Sequence, residues 1–400
     1  MGTELFLKAI PILEKIEEHG YEAYFVGGSV RDYLLNRPIH DIDITTSATP
    51  DEIESLFVKT IPIGKEHGTI NVVHLGENYE VTTFRAEAEY IDHRRPSEVY
   101  FVRNLKEDLQ RRDFTINAIA MDKDFKVYDY FGGQMDLEQN VIRTVGTAQE
   151  RFSEDALRII RGLRFQSQLN FTIENETFLA MQNQIADIKH LSIERIIVEF
   201  KKLITGKNVN QSYNNMLQLN LFNYVPFFKE LNMSMTEITD SIRFELWLAI
   251  LITKEQPQSS LTTLKMSNQE KTDIQLYHRI IVELPKITTK EALKMFVYDF
   301  GEAKILDVLS IRFILEDNHI KTGSPLVLNP QSIQEVTSQL PVKQRKDIVV
   351  NGSDLIDYFQ KKSGPWLKEV LREIERAVVT QKVQNTKQEI LKWVNNNVKI

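Results

Sequence analysis

The sequence predicts an α+β protein, with a mixed sheet in the first 145 or so residues followed by an all-helical remainder. Three observations carry this. Short alternating runs of apolar and polar residues cluster before residue 146 and become rare after it. Helical spacing of apolar residues dominates from residue 150 onward. The 400 residues, 42% of them hydrophobic, are enough to build roughly two to four domains.

The elements follow in order. Residues 4–20 place apolar side chains at helical spacing and end on Gly20. Residues 21–26 form a short β-type run that ends in Gly27-Gly28. Residues 40–46 alternate: Ile42 and Ile44 on one face, Asp41, Asp43 and Thr45 on the other. Thr49-Pro50-Asp51 is a helix start, with a Thr cap, Pro at the first helical position and an acid in the first turn. Residues 69–75, 79–84 and 99–102 are further strands, while 113–121 suit a buried helix or a strand equally. Residues 150–169 and 193–205 read as single helices. The polar stretch 254–268 and the proline-containing 323–332 are breaks, and Ser363-Gly364-Pro365 precedes an amphipathic helix over 366–379. On that helix Lys368, Arg372 and Arg376 form a basic stripe, but interleaved glutamates favour an ion-paired surface over an RNA-binding one.

Composition excludes several classes. There is no cysteine, so disulfides, thiolate metal sites and cysteine nucleophiles are ruled out. The N-terminal segment carries acids and lacks the basic start of a signal peptide, and no apolar stretch reaches the roughly 18 residues of a membrane span. A soluble, cytoplasmic protein without a membrane partner is expected. The net charge of −7 argues against a general RNA-coating role. The arginines cluster, however, at 94–95, 111–112 and 158, 161 and 164, which permits a local polyanion site.

The chemistry-bearing signal is Gly27-Gly28-Ser29-Val30-Arg31-Asp32 followed by Asp41-Ile42-Asp43. Glycines between a strand and a helix let backbone approach a ligand, the helix start offers free N–H groups to an anion, and Arg31 adds a forked phosphate donor. Two carboxylates a two-residue step apart on a strand share a face and repel unless a cation lies between them. Mg²⁺ takes oxygen ligands and bridges carboxylates to substrate phosphates. A metal-dependent phosphoryl-transfer site results.

At these residues the chain resembles the nucleotidyltransferase superfamily of DNA polymerase β. It is most similar to the class II tRNA nucleotidyltransferase and bacterial poly(A) polymerase family, and within it to the CCA-adding members. The likeness extends through Arg111-Arg112-Asp113-Phe114-Thr115-Ile116-Asn117-Ala118, then Asp129, Gly132, Gly133, Asp136 and Leu137, then Glu154-Asp155-Ala156-Leu157-Arg158-Ile159-Ile160-Arg161, then Ser192-Ile193-Glu194-Arg195. It covers residues 20–200; beyond 210 only helical character and length fit. It implies a polymerase-β-like catalytic head over 1–145, a helical neck with the nucleotide-selecting motif over 146–210, a helical body over 211–325 and a tRNA-binding tail over 326–400.

The resemblance also implies the reaction. The tRNA 3′-hydroxyl attacks the α-phosphate of CTP twice and then of ATP, with Mg²⁺ held by Asp41 and Asp43. Glu80, on the strand 79–84, is a candidate third carboxylate, or else an exposed acid or a partner of Arg85. Gly28, Arg31 and Arg112 hold the incoming nucleotide, and Arg161 and Arg164 lie one and two turns beyond Arg158, in reach of a triphosphate. An interhelical ion pair is the alternative for one or two of these arginines, Arg164 or Arg161. Asp155 and Arg158, three apart on a helix, are neighbours on one face. A carboxylate accepts from the exocyclic amine of cytosine or adenine, and a guanidinium donates to the adjacent ring nitrogen, so the pair imitates a Watson–Crick partner. Uracil and guanine mismatch both groups.

Residues 86–97, with Tyr90-Ile91-Asp92-His93-Arg94-Arg95-Pro96, resemble the flexible loop of complete CCA-adding enzymes. The chain shows no long basic tail of the kind expected of a poly(A) polymerase, and no His-Asp pair after residue 150. CC-addition, A-addition and poly(A) synthesis are the alternatives within the family. A non-catalytic RNA-binding protein is the alternative outside it. Partners are tRNA, CTP and ATP; a homodimer is left open.

Overall fold

The computed structural model describes residues 2–87, 90–91, 95–96 and 99–398. They fall into two compact units: Met1–Ser234 with Thr263–Lys265, and the rest of the chain.

The first unit opens with helix Gly2–Glu18, whose Phe6, Ala9, Ile12, Leu13 and Ile16 are fully buried. Their i, i+3, i+4 spacing makes one apolar stripe. Phe6 docks edge-on against Phe25, 4.8 Å between ring centres, and seats the helix on the sheet. That sheet has seven strands, ordered Val127–Asp129, Ile119–Met121, Ala23–Val26, Asp43–Thr46, Glu77–Thr83, Thr69–His74 and Thr60–Ile61. All neighbours run antiparallel except Asp43–Thr46 beside Glu77–Thr83, which are parallel and align Asp43 with Glu80. The helix start at Thr49 forms as expected, with a reciprocal capping box to Glu52 and Pro50 in the first turn. The ambiguous stretch 113–121 resolves as a tight turn, Thr115–Asn117, followed by strand Ile119–Met121.

Two expectations are corrected. The strand over 40–46 begins only at Asp43, leaving Asp41 in the approach to it. Its partners run out there: Ala23–Val26 aligns with residues 44–46, and the ladder to Glu77–Thr83 ends at Asp43. Thr45, assigned to the open face, is fully buried, its hydroxyl donating to the Thr82 carbonyl at 3.2 Å. The single helix over 150–169 is two helices, Ala148–Glu154 and Leu157–Leu169, broken at Asp155.

In the second unit every described element is helical. Helix Trp366–Val379 has the predicted bounds and buries Val370, Ile374 and Val378 against Leu355, Ile390 and Val394. Two of the three residues of its basic stripe are ion-paired: Arg372 with Asp299 and Glu375, Arg376 with Glu373. The break at 254–268 holds one short turn, Leu261–Leu264, before Ser267 and Glu270 cap helix Asn268–Glu283. No helix among the described residues is long and apolar enough to cross a membrane.

Candidate active site

Gly27 leaves strand Ala23–Val26 at φ +74° and ψ −133°, a conformation that glycine tolerates and other residues do not. A Cβ there would lie 3.2 Å from Arg112 Nη1 and 3.7 Å from Asp43 Oδ2. The bare backbone is what lets both groups close on the turn. Helix Gly28–Leu34 follows, and Arg31 donates to Asn117 Oδ1 at 2.8 Å and to both oxygens of Asp32 at 3.0 and 2.9 Å.

Two adjoining cavities meet at Asp43. Asp41, Asp43 and Glu80 line one of about 520 Å³; Asp43 also lines a larger one of about 730 Å³. Asp41 and Glu80 are exposed and Asp43 is half-buried. Burial pushes the Asp43 carboxyl above its ordinary value; Arg112 opposes this, while Glu80 and Asp41 push it further up. Asp43 is therefore an under-neutralised acid.

The larger cavity is walled by arginine. Arg31, Arg112, Arg158, Arg161 and Arg164 line it with Arg85, Arg111 and Arg195, against only Asp43, Asp113 and Asp155. A locally cationic hollow thus sits in a chain of net charge −7. The volume is ordinary for a small-molecule site. Phe165 gathers three of the cations, with the Arg164, Arg31 and Arg161 guanidiniums 4.0, 5.3 and 5.5 Å from its ring centre. Three buried nitrogens around this cavity, Arg112 Nε, Arg164 Nε and Arg195 Nη1, lack a hydrogen-bond partner. Buried donors are rarely left unpaired without reason.

The Asp155–Arg158 pair is present in the cavity, but not as a helix-face pair. Asp155 sits in the break, at φ −144° and ψ 102°, where its Oδ1 accepts from the Leu157 N–H at 3.0 Å. Asp competes for the free N–H groups of a helix start, which is why the chain breaks here. Its Oδ2 accepts from Arg195 at 2.7 Å. Arg158 instead pairs with Glu154 and donates to the carbonyls of Arg151 at 3.1 Å and Arg111 at 3.0 Å. Both side chains are thereby anchored from outside the pair. Each Asp155 oxygen keeps acceptor capacity for a ligand.

Residues 23–143 match the family model for the poly A polymerase head domain. Residues 170–232 match a probable RNA and SrmB-binding site of polymerase A, and 237–394 a putative domain 2 of tRNA nucleotidyltransferase. Over all 400 residues of both chains, the protein is 68% identical to the CCA-adding enzyme of Staphylococcus haemolyticus and 58% identical to that of Staphylococcus epidermidis. The chain belongs to the CCA-adding enzyme family. The Bacillus stearothermophilus CCA-adding enzyme, solved in complex with CTP, superimposes with a TM-score of 0.83 at 34% identity, over 98% of this chain and 97% of that one. The Thermotoga maritima CCA-adding enzyme complexed with tRNA shares the fold, with a TM-score of 0.60 at 20% identity over 98% and 95%.

CCA-adding enzymes are metal-dependent, and the donor set here fits a divalent cation. Asp41, Asp43 and Glu80 offer only oxygens, and burial, with smaller contributions from Glu80 and Asp41, holds the Asp43 carboxyl above its ordinary value despite Arg112. Among the described residues no three acids or histidines converge into a closed cage. That suits an ion held by one or two carboxylates and completed by substrate phosphate and water. Half of the loop expected over 86–97 lies outside the described residues; within the rest Tyr90–Ile91 pairs with Arg95–Pro96, and strands Arg85–Glu87 and Val99–Phe101 pair at its base.

Several residues that line the cavity or pair with its arginines carried no individual role in the sequence reading. Asp108, fully buried, holds Arg111 at 2.8 Å and Arg112 at 3.2 Å. Asp113 accepts from Arg161 Nε at 2.7 Å, from Asn117 at 3.1 Å and from the Phe114 N–H at 2.8 Å. Asp113, Asn117 and Arg195 stand inside recognisable motifs, so a signal existed; for Asp108, Phe165 and Glu199 there was none. Burial works against the Asp113 charge, yet Arg161 and the hydrogen bonds from Asn117, Arg161 and Phe114 hold the carboxyl well below the usual range. Its contribution to stability is therefore present above the unfolded carboxylate pKa and lost in acid. Asp113→Asn should destabilise the protein by about 3 kcal/mol at pH 7, as for a broken buried pair. Urea unfolding should show this gap narrowing as pH falls below about 4; a gap independent of pH would sink the assignment.

Proposed function

We propose that the chain adds C, C and A to the 3′ end of tRNA without a nucleic-acid template, using CTP and ATP and releasing pyrophosphate. The observation that carries this reading is the shared cavity: Asp43, the pair Asp155 and Arg158, and the arginine cluster all line one hollow. In this reading the tRNA 3′-hydroxyl attacks the α-phosphate. Arg31, Arg112, Arg161 and Arg164 bind the triphosphate, with the Gly28 backbone beside it. Asp155 accepts from the exocyclic amine of C or A, and Arg158 donates to the neighbouring ring nitrogen. Asp41 and Asp43 would hold Mg²⁺, with Glu80 opposite Asp43 on the neighbouring strand as a candidate third carboxylate. When bound, that ion supplies charge neutralisation at the phosphates and a lowered pKa for the attacking hydroxyl.

We assign the head to residues 1–145, the neck to 146–210, the body to 211–325 and the tRNA-binding tail to 326–400. The cytoplasm, where tRNA, CTP and ATP meet, is the assigned location. The helical remainder reads the tRNA by shape and phosphate contacts.

The test uses three tRNA transcripts, ending at the discriminator base, at C and at CC. Each receives CTP, ATP or both, with Mg²⁺, and products are resolved to single nucleotides. Addition of C, C and A followed by a stop is expected. A stop at CC, A added only to a CC end, or a long A ladder would replace CCA addition with another specificity of the family.

A further inference from the structure

Helix Ile193–Ile204 carries a buried acid that the reaction as described does not use. Glu199 is 6% exposed. Its Oε2 lies 2.6 Å from Arg164 Nε, and its Oε1 lies 4.0 Å from Arg161 Nη1. Both arginines line the nucleotide cavity. We propose that Glu199 is a positioning residue: a built-in counter-anion that holds Arg161 and Arg164 in the cavity wall until the triphosphate of the incoming nucleotide takes them over. This rests on the reading of that wall as the triphosphate subsite.

The quality of the contacts separates Glu199 from its neighbour Asp113. Asp113 grips Arg161 through an aligned hydrogen bond at 2.7 Å and is satisfied by two further donors. Glu199 Oε2 and Arg164 Nε are both buried and 2.6 Å apart, and among the described residues the ion-pair partners of Glu199 are these two guanidiniums. Its pairing therefore rests on the arginines of the wall, whereas Asp113 is also held by Asn117 and the Phe114 N–H. A phosphate oxygen, itself an anionic acceptor, can replace the carboxylate at both guanidiniums. A second clamp keeps Arg164 near its place, since its Nη1 donates to Gln168 Oε1 at 2.9 Å and its guanidinium stacks on Phe165. Exchange therefore needs no large movement, only transfer of charge pairing from carboxylate to phosphate. One carboxylate competing for two guanidiniums lowers triphosphate affinity and, in return, keeps the empty wall from holding uncompensated buried charge.

Neutralising Glu199 should then tighten polyphosphate binding, an effect that a merely structural role would not produce. Glu199→Gln should bind inorganic pyrophosphate and CTP on the order of tenfold more tightly, the scale of one nearby unit charge. CTP and ATP should gain equally. The empty variant should melt lower than the parent, and saturating pyrophosphate should close that gap. If Glu199→Gln does not fold, Glu199→Asp, which keeps the charge and shortens the reach, should tighten pyrophosphate binding in the same direction by a smaller factor. Unchanged or weaker binding in a folded variant overturns the proposal. Arg164→Gln separates the two layers: if it weakens pyrophosphate binding while the Glu199 variants do nothing, only the counter-anion role falls. If Arg164→Gln leaves binding intact, the triphosphate subsite falls as well.

Discussion

Asp43→Ala abolishes incorporation of both C and A, with a loss on the order of 10³-fold or more, because a metal-stabilised step loses several kcal/mol at about 1.4 kcal/mol per tenfold. Asp41→Ala should behave alike, with tRNA binding retained in both. The structure sharpens the Asp43 experiment. Its carboxyl is raised by burial and then by Glu80 and Asp41, against the pull of Arg112. A carboxyl raised in the folded state binds protons more readily there than in the unfolded chain, so its ionisation costs stability as pH rises. Asp43→Asn should therefore melt no lower than the parent at neutral pH without metal, while losing the stabilisation that Mg²⁺ confers. Such exchange of stability for function is common at active sites. Measured turnover that persists in Asp41→Ala and Asp43→Ala would remove the metal assignment. A large drop in melting temperature would recast Asp43 as a structural residue.

The second large effect is on choice of base. Sites with buried groups matched to one hydrogen-bonding pattern discriminate by about 10⁴-fold. Asp155→Ala should collapse discrimination of C and A against U and G to about tenfold or less, the range left to shape alone. The kcat/KM for all four nucleotides measures it, and unchanged selectivity sinks the protein-template reading. Because Asp155 also accepts from the Leu157 N–H and from Arg195, the alanine variant loses about 1 kcal/mol as a lost cap would. That cost is small beside the change in selectivity. It makes Asp155→Asn, which keeps an acceptor for the cap, the stricter version of the test.

Much of the head was legible because its signals are local. Gly27 shows itself by the conformation it must adopt, Thr49 by its cap, and the Asp41 and Asp43 acids by their two-residue spacing. The ladder sets Glu80 opposite Asp43, a neighbour that the sequence of its own strand does not reveal. The Asp155–Arg158 reading assumed a local geometry that the chain does not have, although both residues line one cavity. Spacing of three implies a shared helix face only if the helix is continuous, and Asp155 itself interrupts it by capping the next turn.

By its own pattern the sequence determined which acids, which arginines and which glycine turn are present, and in what order. These follow from short-range rules of backbone freedom, side-chain alternation and capping, which act within a few residues. Only the tertiary structure decided how the charges are shared out. Arg161 finds Asp113 across 48 residues, Asp155 finds Arg195 across 40, and Arg31 finds Asn117 across 86. With eight arginines lining one cavity, no spacing rule says which carboxylate each will meet. Burial and the geometry of facing helices and strands do, since an exposed pair is worth little whereas a buried charge left without its partner is costly.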